Sequence, residues 1–166
     1  MDDEQAMMRC IELAAEAAKR GDHPFGALIL RGGELVAEGP NLVITAVDPT
    51  AHGEVIAIRR ACQTLGRQDL SDCALFTSAE PCWICSTAIR VTGISRVVFA
   101  ARSGTDTGGF SSRFPILSEA GITRFGPPPE IVAGYLADRA EALWREIKWV
   151  RRGQDPGHGA AEPPAP

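Results

Sequence analysis

The chain has 166 residues, of which 45% are hydrophobic and 23% charged, with a formal net charge of −4. A chain of this length is expected to form one domain with a substantial core. The acidic balance argues against a phosphate backbone as the main partner, because nucleic-acid-binding domains usually carry a basic surface. No apolar run approaches the roughly 18 residues of a membrane span, and the acidic N-terminus lacks the features of a secretory signal. The five cysteines, an odd number, do not suggest a disulfide framework, so we expect a cytoplasmic protein.

The first half of the chain predicts a helix, a hairpin and a second helix. Apolar residues at helical spacing and strong helix formers predict a helix over 4–19. Two short apolar strands, 27–30 and 35–37, follow, and the two glycines between them are typical of a hairpin. A loop rich in turn residues, 39–50, leads to the second helix over about 51–65.

The second half alternates strands and helices. Residues 74–77 form an apolar run that indicates a buried strand, and Pro81 is suited to the first turn of a third helix. Another strand is predicted over 97–100 and a short fifth strand around Ile122. The last helix is predicted over about 130–151, with Val132, Leu136, Leu143, Ile147 and Val150 on one face.

This order of elements indicates an α/β domain, residues 1–152, with one mixed sheet covered on both faces by helices. The hairpin strands should be antiparallel. The later strands are separated by helices and should therefore be parallel. The glycine- and serine-rich segment 103–113 should be a loop, and the polar segment 153–166 should be a disordered tail.

Candidate metal ligands lie in two short stretches, each at the start of a predicted helix. The first stretch contains His52, and the second contains Cys82 and Cys85, which share one helix face at their spacing of three. Helix N-termini favour thiolates, and two thiolates with one imidazole suit zinc. Three protein ligands leave the fourth position of a tetrahedral ion for water, which is the pattern of a catalytic site.

Glu54 is a candidate general acid/base beside this cluster. On a regular helix it would point about 200° away from His52, so it should approach the site from another side. A carboxylate there could take a proton from water and deliver it to a ring nitrogen and a leaving amine. Hydrolytic deamination needs such a division of labour and no organic cofactor.

His-x-Glu followed by Pro-Cys-x-x-Cys resembles the signature of the cytidine deaminase superfamily, over residues 6–151. PFGALIL, DPTAHGEVIAIRRAC and TSAEPCWICSTAI resemble the bacterial guanine deaminase branch, whereas ISRVVFAAR and GYLADRAEALWREI resemble tRNA adenosine deaminases. Yeast-type cytosine deaminases share the His-Gly-Glu spelling. The resemblance implies a three-layer α/β/α sandwich with a five-stranded mixed sheet, a homodimer and one zinc ion per chain, held by His52, Cys82 and Cys85, with Glu54 catalytic.

The same resemblance implies a set of substrate contacts. Asn41 matches a substrate-binding asparagine, Ala51 a residue whose backbone contacts the base, and Phe25 a pocket wall. The remaining predicted substrate contacts are Glu80, Trp83 and Phe110. The amide of Asn41 can both donate to and accept from a heterocycle edge.

Two departures from the guanine deaminase branch concern the substrate. Guanine deaminases carry an acidic residue after the Gly-Phe of the active-site loop, where this chain has Ser111-Ser112. Trp83 stands between the cysteines in place of a smaller residue, and should narrow the mouth of the site.

Three functions are therefore open. The leading hypothesis is a zinc-dependent deaminase of a free nucleobase or related heterocycle, with guanine the best single candidate and cytosine a further one. A tRNA-specific adenosine deaminase is favoured by the C-terminal half and by basic residues at the end of the last helix, namely Arg145, Lys148, Arg151 and Arg152. A domain with a purely structural zinc site is disfavoured by Glu54, and a Cys-x-x-Cys redox pair by the accompanying His-x-Glu.

Overall fold

The computed structural model describes residues 1–103 and 108–149. Within them, the chain forms four α-helices, five strands and a short 3-10 helix. In chain order these are α1 (Asp3–Lys19), β1 (Gly26–Arg31), β2 (Glu34–Pro40), α2 (Gly53–Leu65), β3 (Cys73–Ala79), α3 (Trp83–Thr92), β4 (Arg96–Ala101), the 3-10 helix (Thr123–Phe125), β5 (Glu130–Ala133) and α4 (Ala137–Glu146).

The five strands form one mixed sheet in the order β2-β1-β3-β4-β5. The hairpin strands β1 and β2 are antiparallel, and β1 also pairs antiparallel with β3. From β3 onward the pairing is parallel, with β4 between β3 and β5. The predicted mixed sheet is therefore confirmed, including the change from antiparallel to parallel pairing.

Helices cover both faces of the sheet, because alternate strand residues point to opposite sides. Ile29, Leu75 and Val97 pack with residues of α2 and α3 in one cluster. Their neighbours Leu28, Phe76 and Val98 pack with residues of α1 and α4 in the other. The molecule is thus a three-layer α/β/α sandwich, as expected. In the part of the chain described, no helix is both long enough and apolar enough to cross a membrane.

The prediction of the C-terminal elements was wrong in two places. Ile122 does not lie in a strand but precedes the 3-10 helix, and the fifth strand is β5, which falls within the predicted helix 130–151. Ile131 and Val132 pair with Val97 and Val98 of β4. These β-branched residues suit a strand, and the ladder they complete outweighs their helical spacing.

A turn separates β5 from α4 and shortens the predicted helix. Gly134 has a φ of 80° and Leu136 a φ of 55°, so the chain reverses there before α4 begins at Ala137. The end of the predicted last helix, residues 150–151, and the predicted disordered tail, residues 153–166, lie outside the described part of the chain.

The third helix also begins two residues later than predicted. Pro81 and Cys82 precede it, and Cys82 is its N-cap with extended backbone angles. Both α2 and α3 follow strands whose ends lie at one edge of the sheet, so their N-termini meet there. This edge contains every candidate metal ligand.

Candidate active site

Three candidate ligand atoms meet where α2 and α3 begin. His52 is the N-cap of α2, Cys82 is the N-cap of α3, and Cys85 lies in the first turn of α3. The Nδ1 atom of His52 is 3.4 Å from the sulfur of Cys82 and 3.4 Å from that of Cys85. The two sulfurs are 3.6 Å apart. The structure therefore brings together the three side chains that the sequence proposed as one cluster.

These distances fit a zinc ion. Bond lengths of about 2.3 Å to sulfur and about 2.0–2.1 Å to nitrogen place the ligand atoms of a tetrahedral ion roughly 3.5–3.8 Å apart. The distances within the cluster lie within about 0.2 Å of that range, and two sulfurs with one imidazole are a donor set that zinc prefers. Three protein ligands would leave one position of such an ion open.

Hydrogen bonds within the cluster shift the pKa values of the two cysteine thiols in opposite directions. The hydrogen bond between the two sulfurs, with another to His52, outweighs burial and lowers the pKa of Cys82 to about 4. The same bond, burial and the nearby charge of Glu54 raise the pKa of Cys85 well above its usual value. Bonding to Cys82 raises the pKa of His52. Cys82 is therefore a thiolate at neutral pH, which is the form that binds a metal.

The Glu54 carboxylate lies directly against the cluster. Glu54 is buried in the first turn of α2, with Oε2 3.4 Å from the sulfur of Cys85. Its other oxygen, Oε1, accepts a hydrogen bond of 3.2 Å from the Thr77 hydroxyl on β3. Burial, followed by the charge of Cys82, raises the pKa of Glu54. A carboxyl group that is harder to ionise is suited to hold and release a proton.

The expected 200° separation of His52 and Glu54 does not keep them apart. That angle applies to two residues inside one helix. His52 lies outside the helical geometry, with φ −66° and ψ 150°. As the N-cap, His52 directs its ring to the cluster. Glu54 is the second residue of α2 and approaches the cluster from another direction.

Asn41 and Ala51 lie at the two ends of the loop that joins β2 to α2. Both are buried. The backbone N–H of Asn41 donates to the carbonyl of Phe25 over 3.0 Å, and its side-chain Oδ1 accepts from the N–H of Val43 over 3.1 Å. The carbonyl of Ala51 accepts from the N–H of Leu42 over 3.0 Å. One loop thus links both predicted substrate contacts to the ligand His52, which follows Ala51 in the sequence.

The two predicted phenylalanine contacts are partly buried and pack against the two core clusters. Phe25 makes edge contacts with Trp144 and Trp149, at centroid distances of 5.9 and 5.1 Å, on the side of the sheet covered by α1 and α4. Phe110 packs edge-on against Phe99 at 5.9 Å on the other side. The backbone carbonyl of Phe25, through its bond to Asn41, is the part of that residue tied to the site.

Glu80 binds the active-site loop. Its buried carboxylate accepts from the N–H groups of Ser103, Phe110 and Ser111 at 3.1, 3.1 and 2.7 Å, and from the Ser111 hydroxyl at 2.7–2.8 Å. These donors occupy both carboxylate oxygens. Glu80 therefore anchors the loop beside Cys82, and its predicted contact with the substrate stays a prediction.

Trp83 lies beside the cluster at the rim of the molecule. Its indole N–H donates to the hydroxyl of Ser112 over 3.1 Å, and its ring contacts Phe114 at a centroid distance of 6.2 Å. The side chain bridges the start of α3 and the loop that Glu80 anchors. Trp83 itself is 38% exposed.

Two residues near the site were missed by the sequence interpretation. Thr77 holds the carboxylate of Glu54, and Asp22 accepts three hydrogen bonds from the loop that carries Asn41. The position of Thr77 directly after the apolar run 74–76 is a signal that could have been read. Asp22 has no such signal, because turn residues after a helix are commonly polar.

The sandwich, the His/Cys/Cys cluster and the adjacent carboxylate together form a site suited to zinc-dependent hydrolysis. The family model for the cytidine and deoxycytidylate deaminase zinc-binding region matches residues 1–101. The chain belongs to this cytidine deaminase-like family.

Individual relatives have two different substrates in their names. The guanine deaminase of Bacillus subtilis (strain 168) is 45% identical over 117 residues, covering 69% of this chain and 74% of that protein. The tRNA-specific adenosine deaminase of Aquifex aeolicus (strain VF5) is 37% identical over 119 residues, covering 72% and 78%. A structure from work on A-to-I editing by tRNA:A34 deaminases superposes with a TM-score of 0.78 at 26% identity, covering 84% of this chain and 99% of that one.

Proposed function

We propose that this deaminase acts on a free nucleobase or a related small amino heterocycle, with guanine as the best single candidate. The observation that carries the chemistry is the carboxylate of Glu54 against a three-ligand cluster. The 45% identity to a guanine deaminase supports the substrate class.

His52, Cys82 and Cys85 would hold one zinc ion per chain, and Glu54 would move the protons. Bound there, zinc would supply the Lewis acidity that makes water a nucleophile near neutral pH. Glu54 accepts a proton as the water oxygen bonds to the amino-bearing ring carbon, and passes it to the adjacent ring nitrogen. It then takes the second proton from the oxygen now bonded to that carbon and gives it to the amine, so that the C–N bond breaks, the oxygen becomes a carbonyl and ammonia leaves. Thr77 keeps one oxygen of Glu54 fixed, so that the other faces the cluster.

Asn41 and Ala51 would orient the heterocycle. Because Val43 already donates to Oδ1 of Asn41, that oxygen has one lone pair left and the side-chain amino group provides donors. The carbonyl of Ala51, which accepts from Leu42, likewise has a second lone pair for a ring N–H. These neutral groups can read a donor and an acceptor on the edge of a ring.

The loop that contains Ser111 and Ser112 favours a small substrate. The Ser112 bond holds the indole of Trp83, which follows Cys82 in the sequence and would narrow the approach for a ribose or polynucleotide. Ser111 is turned onto Glu80, so position 111 offers no charge to the substrate. Charge-assisted bonds contribute about 1.5–3 kcal/mol and neutral ones about half of that. We therefore expect guanine to be bound more weakly than by a relative with an acidic residue there.

A tRNA adenosine deaminase is the second candidate. It is favoured by the superposition over 99% of a chain from work on tRNA:A34 deaminases. Arg145 and Lys148 near the end of α4 would contribute positive charge, although basic residues there also stabilise the helix dipole. The net charge of −4 opposes tRNA as the substrate.

We also propose that the protein is a homodimer, which sedimentation equilibrium would test.

Ammonia release decides between the two candidates. The zinc-loaded protein would be assayed with guanine, cytosine, adenine, their nucleosides, triazines, pterins and a tRNA anticodon hairpin. We expect turnover of at least one free heterocycle and none of the hairpin. Editing of the hairpin without free-base turnover would replace this proposal with the tRNA enzyme.

A further inference from the structure

Asp22 is a buried carboxylate outside the metal cluster. It lies in the turn after α1, and its side chain has no exposed surface. One oxygen accepts from the backbone N–H groups of Ile44 and Thr45 at 3.0 and 2.9 Å. The other accepts from the Thr45 hydroxyl at 2.8 Å. All three donors belong to the loop between Asn41 and Ala51.

Arg20 ties the same turn to the start of that loop. Its Nη2 donates to the backbone carbonyl of Asn41 over 3.4 Å, and its Nε lies 3.7 Å from the carboxylate of Asp22. The turn 20–22 therefore holds the loop both at Asn41 and at Ile44-Thr45. A segment of only five residues is fixed at its two ends.

The outer part of the loop has little burial to hold it. Ile44 is 52% exposed, and Val47 is 89% exposed with a φ of 51°. A β-branched residue in the left-handed region is strained. The N–H of Leu42 donates to the carbonyl of Ala51 and that of Ala46 to the carbonyl of Leu42, so backbone bonds also hold this loop. Hydrogen bonds to charged groups are among the strongest that a loop can make, and the Asp22 carboxylate supplies those that hold Ile44 and Thr45.

We propose that Asp22 is a positioning residue: by fixing residues 42–46 it sets the direction of the Asn41 side chain toward the heterocycle. Val43, the donor to Oδ1 of Asn41, immediately precedes Ile44, which is bonded to Asp22. Loss of the Asp22 bonds would release Val43 and with it the orientation of the amide. The inference rests on the proposed substrate contact of Asn41, and Asp22 is expected to act only through that contact.

A double-mutant cycle tests this coupling, with guanine as the assayed substrate and zinc-loaded full-length protein. Asn41→Ala should raise KM about 2- to 10-fold, the loss of one neutral hydrogen bond. Asp22→Ala should raise KM within the same range and change kcat less than about twofold. Added to Asn41→Ala, it should raise KM no further, because both changes remove one interaction. Asp22→Asn, which keeps an oxygen acceptor, should restore part of the effect.

Asp72→Ala is the matched control. Asp72 accepts from Arg31 and Arg67 near the start of β3, at the opposite end of that strand from the site. It should leave KM unchanged. Multiplying effects of Asp22→Ala and Asn41→Ala, or a loss of zinc in Asp22→Ala, would overturn the proposal. If Asn41→Ala has no effect on KM, the substrate contact of Asn41 fails instead.

Amide hydrogen exchange gives a second reading that needs no substrate. In Asp22→Ala, the amides of residues 42–46 should exchange at least about tenfold faster, while those of β1 and α2 keep their protection. Unchanged exchange in 42–46 would overturn the inference even if the true substrate is not guanine. A wild-type protein that does not deaminate guanine would count against the proposed function alone.

Discussion

Gly39→Ala tests the close approach of α2 to the sheet that positions His52 and Glu54. A Cβ atom on Gly39 would lie 2.0 Å from the carbonyl oxygen of Gly53 and 2.5 Å from the backbone nitrogen of Ala57. The first approach is about 1.4 Å shorter than the 3.4 Å at which ordinary contact begins. Because both neighbours are backbone atoms of α2, the helix itself must move.

The displacement should reduce both stability and rate. Overpacking of this kind costs about 1–3 kcal/mol, which for a chain of this size lowers Tm by roughly 2–12 °C. A catalytic group tolerates a displacement of only about 0.5 Å, and one of 1 Å can lower the rate by about 10²-fold. His52 and Glu54 flank Gly53, so they would be displaced with the start of α2.

Thermal unfolding followed by circular dichroism, zinc content and ammonia release would measure these effects. Gly121→Ala is the control, because the nearest atom to its Cβ is the flexible end of the Glu119 side chain at 3.0 Å. A Gly39→Ala protein with the Tm and rate of the wild type would refute the reasoning.

Three further predictions concern the metal, a strained residue and an ion pair. Cys85→Ala should lose most of its zinc and Cys62→Ala on α2 should keep it, as measured by metal analysis; full zinc in the first variant would contradict the cluster. Val47→Asn should raise the free energy of unfolding by about 1 kcal/mol in urea titration, since asparagine tolerates a positive φ and the exposed valine loses no packing; a fall would count against strain at Val47. Hydrogen bonding to Arg96 lowers the pKa of Asp3 in the folded protein below its ordinary value of 3.8. The ion pair therefore stabilises the fold at pH values above 3.8, and this stabilisation is lost as the pH falls through the lower pKa of the folded state. Arg96→Ala should therefore be about 0.2–1 kcal/mol less stable at neutral pH, with a difference that shrinks in acid; a difference that does not depend on pH would contradict the ion pair.

Most of the fold could be predicted from local patterns. The spacing of apolar residues gave α1 and the first four strands, and the glycines between β1 and β2 gave the hairpin. The fifth strand could not be found this way, because Val132 also fits the helical spacing predicted for the last helix. Ile131 and Val132 form a strand since β4 offers an unpaired edge to them, and such tertiary pairing is not visible in a short window of sequence.

The metal cluster was predicted because its residues carry their chemistry in short motifs. Roles that depend on a distant partner were not. Glu80 lies in the motif next to Cys82, yet its partners Phe110 and Ser111 are about 30 residues away. Asp22 binds a loop about 22 residues along the chain. Hydrogen bonds across such separations depend on the packed fold, so the residue type alone could not assign these carboxylates.

Glu54→Gln provides the most direct test of the central claim that this cluster and carboxylate perform hydrolytic deamination. The change preserves the shape of the side chain and removes the group that carries the proton. Zinc content and Tm should remain those of the wild type, while ammonia release from the free base that is turned over fastest should fall by about 10²–10⁴-fold. Glu38→Gln is the control. Glu38 lies on β2 and its carboxylate pairs with Arg9 of α1, so this variant should keep the wild-type rate. A zinc-loaded Glu54→Gln protein that deaminates at the wild-type rate would contradict the account.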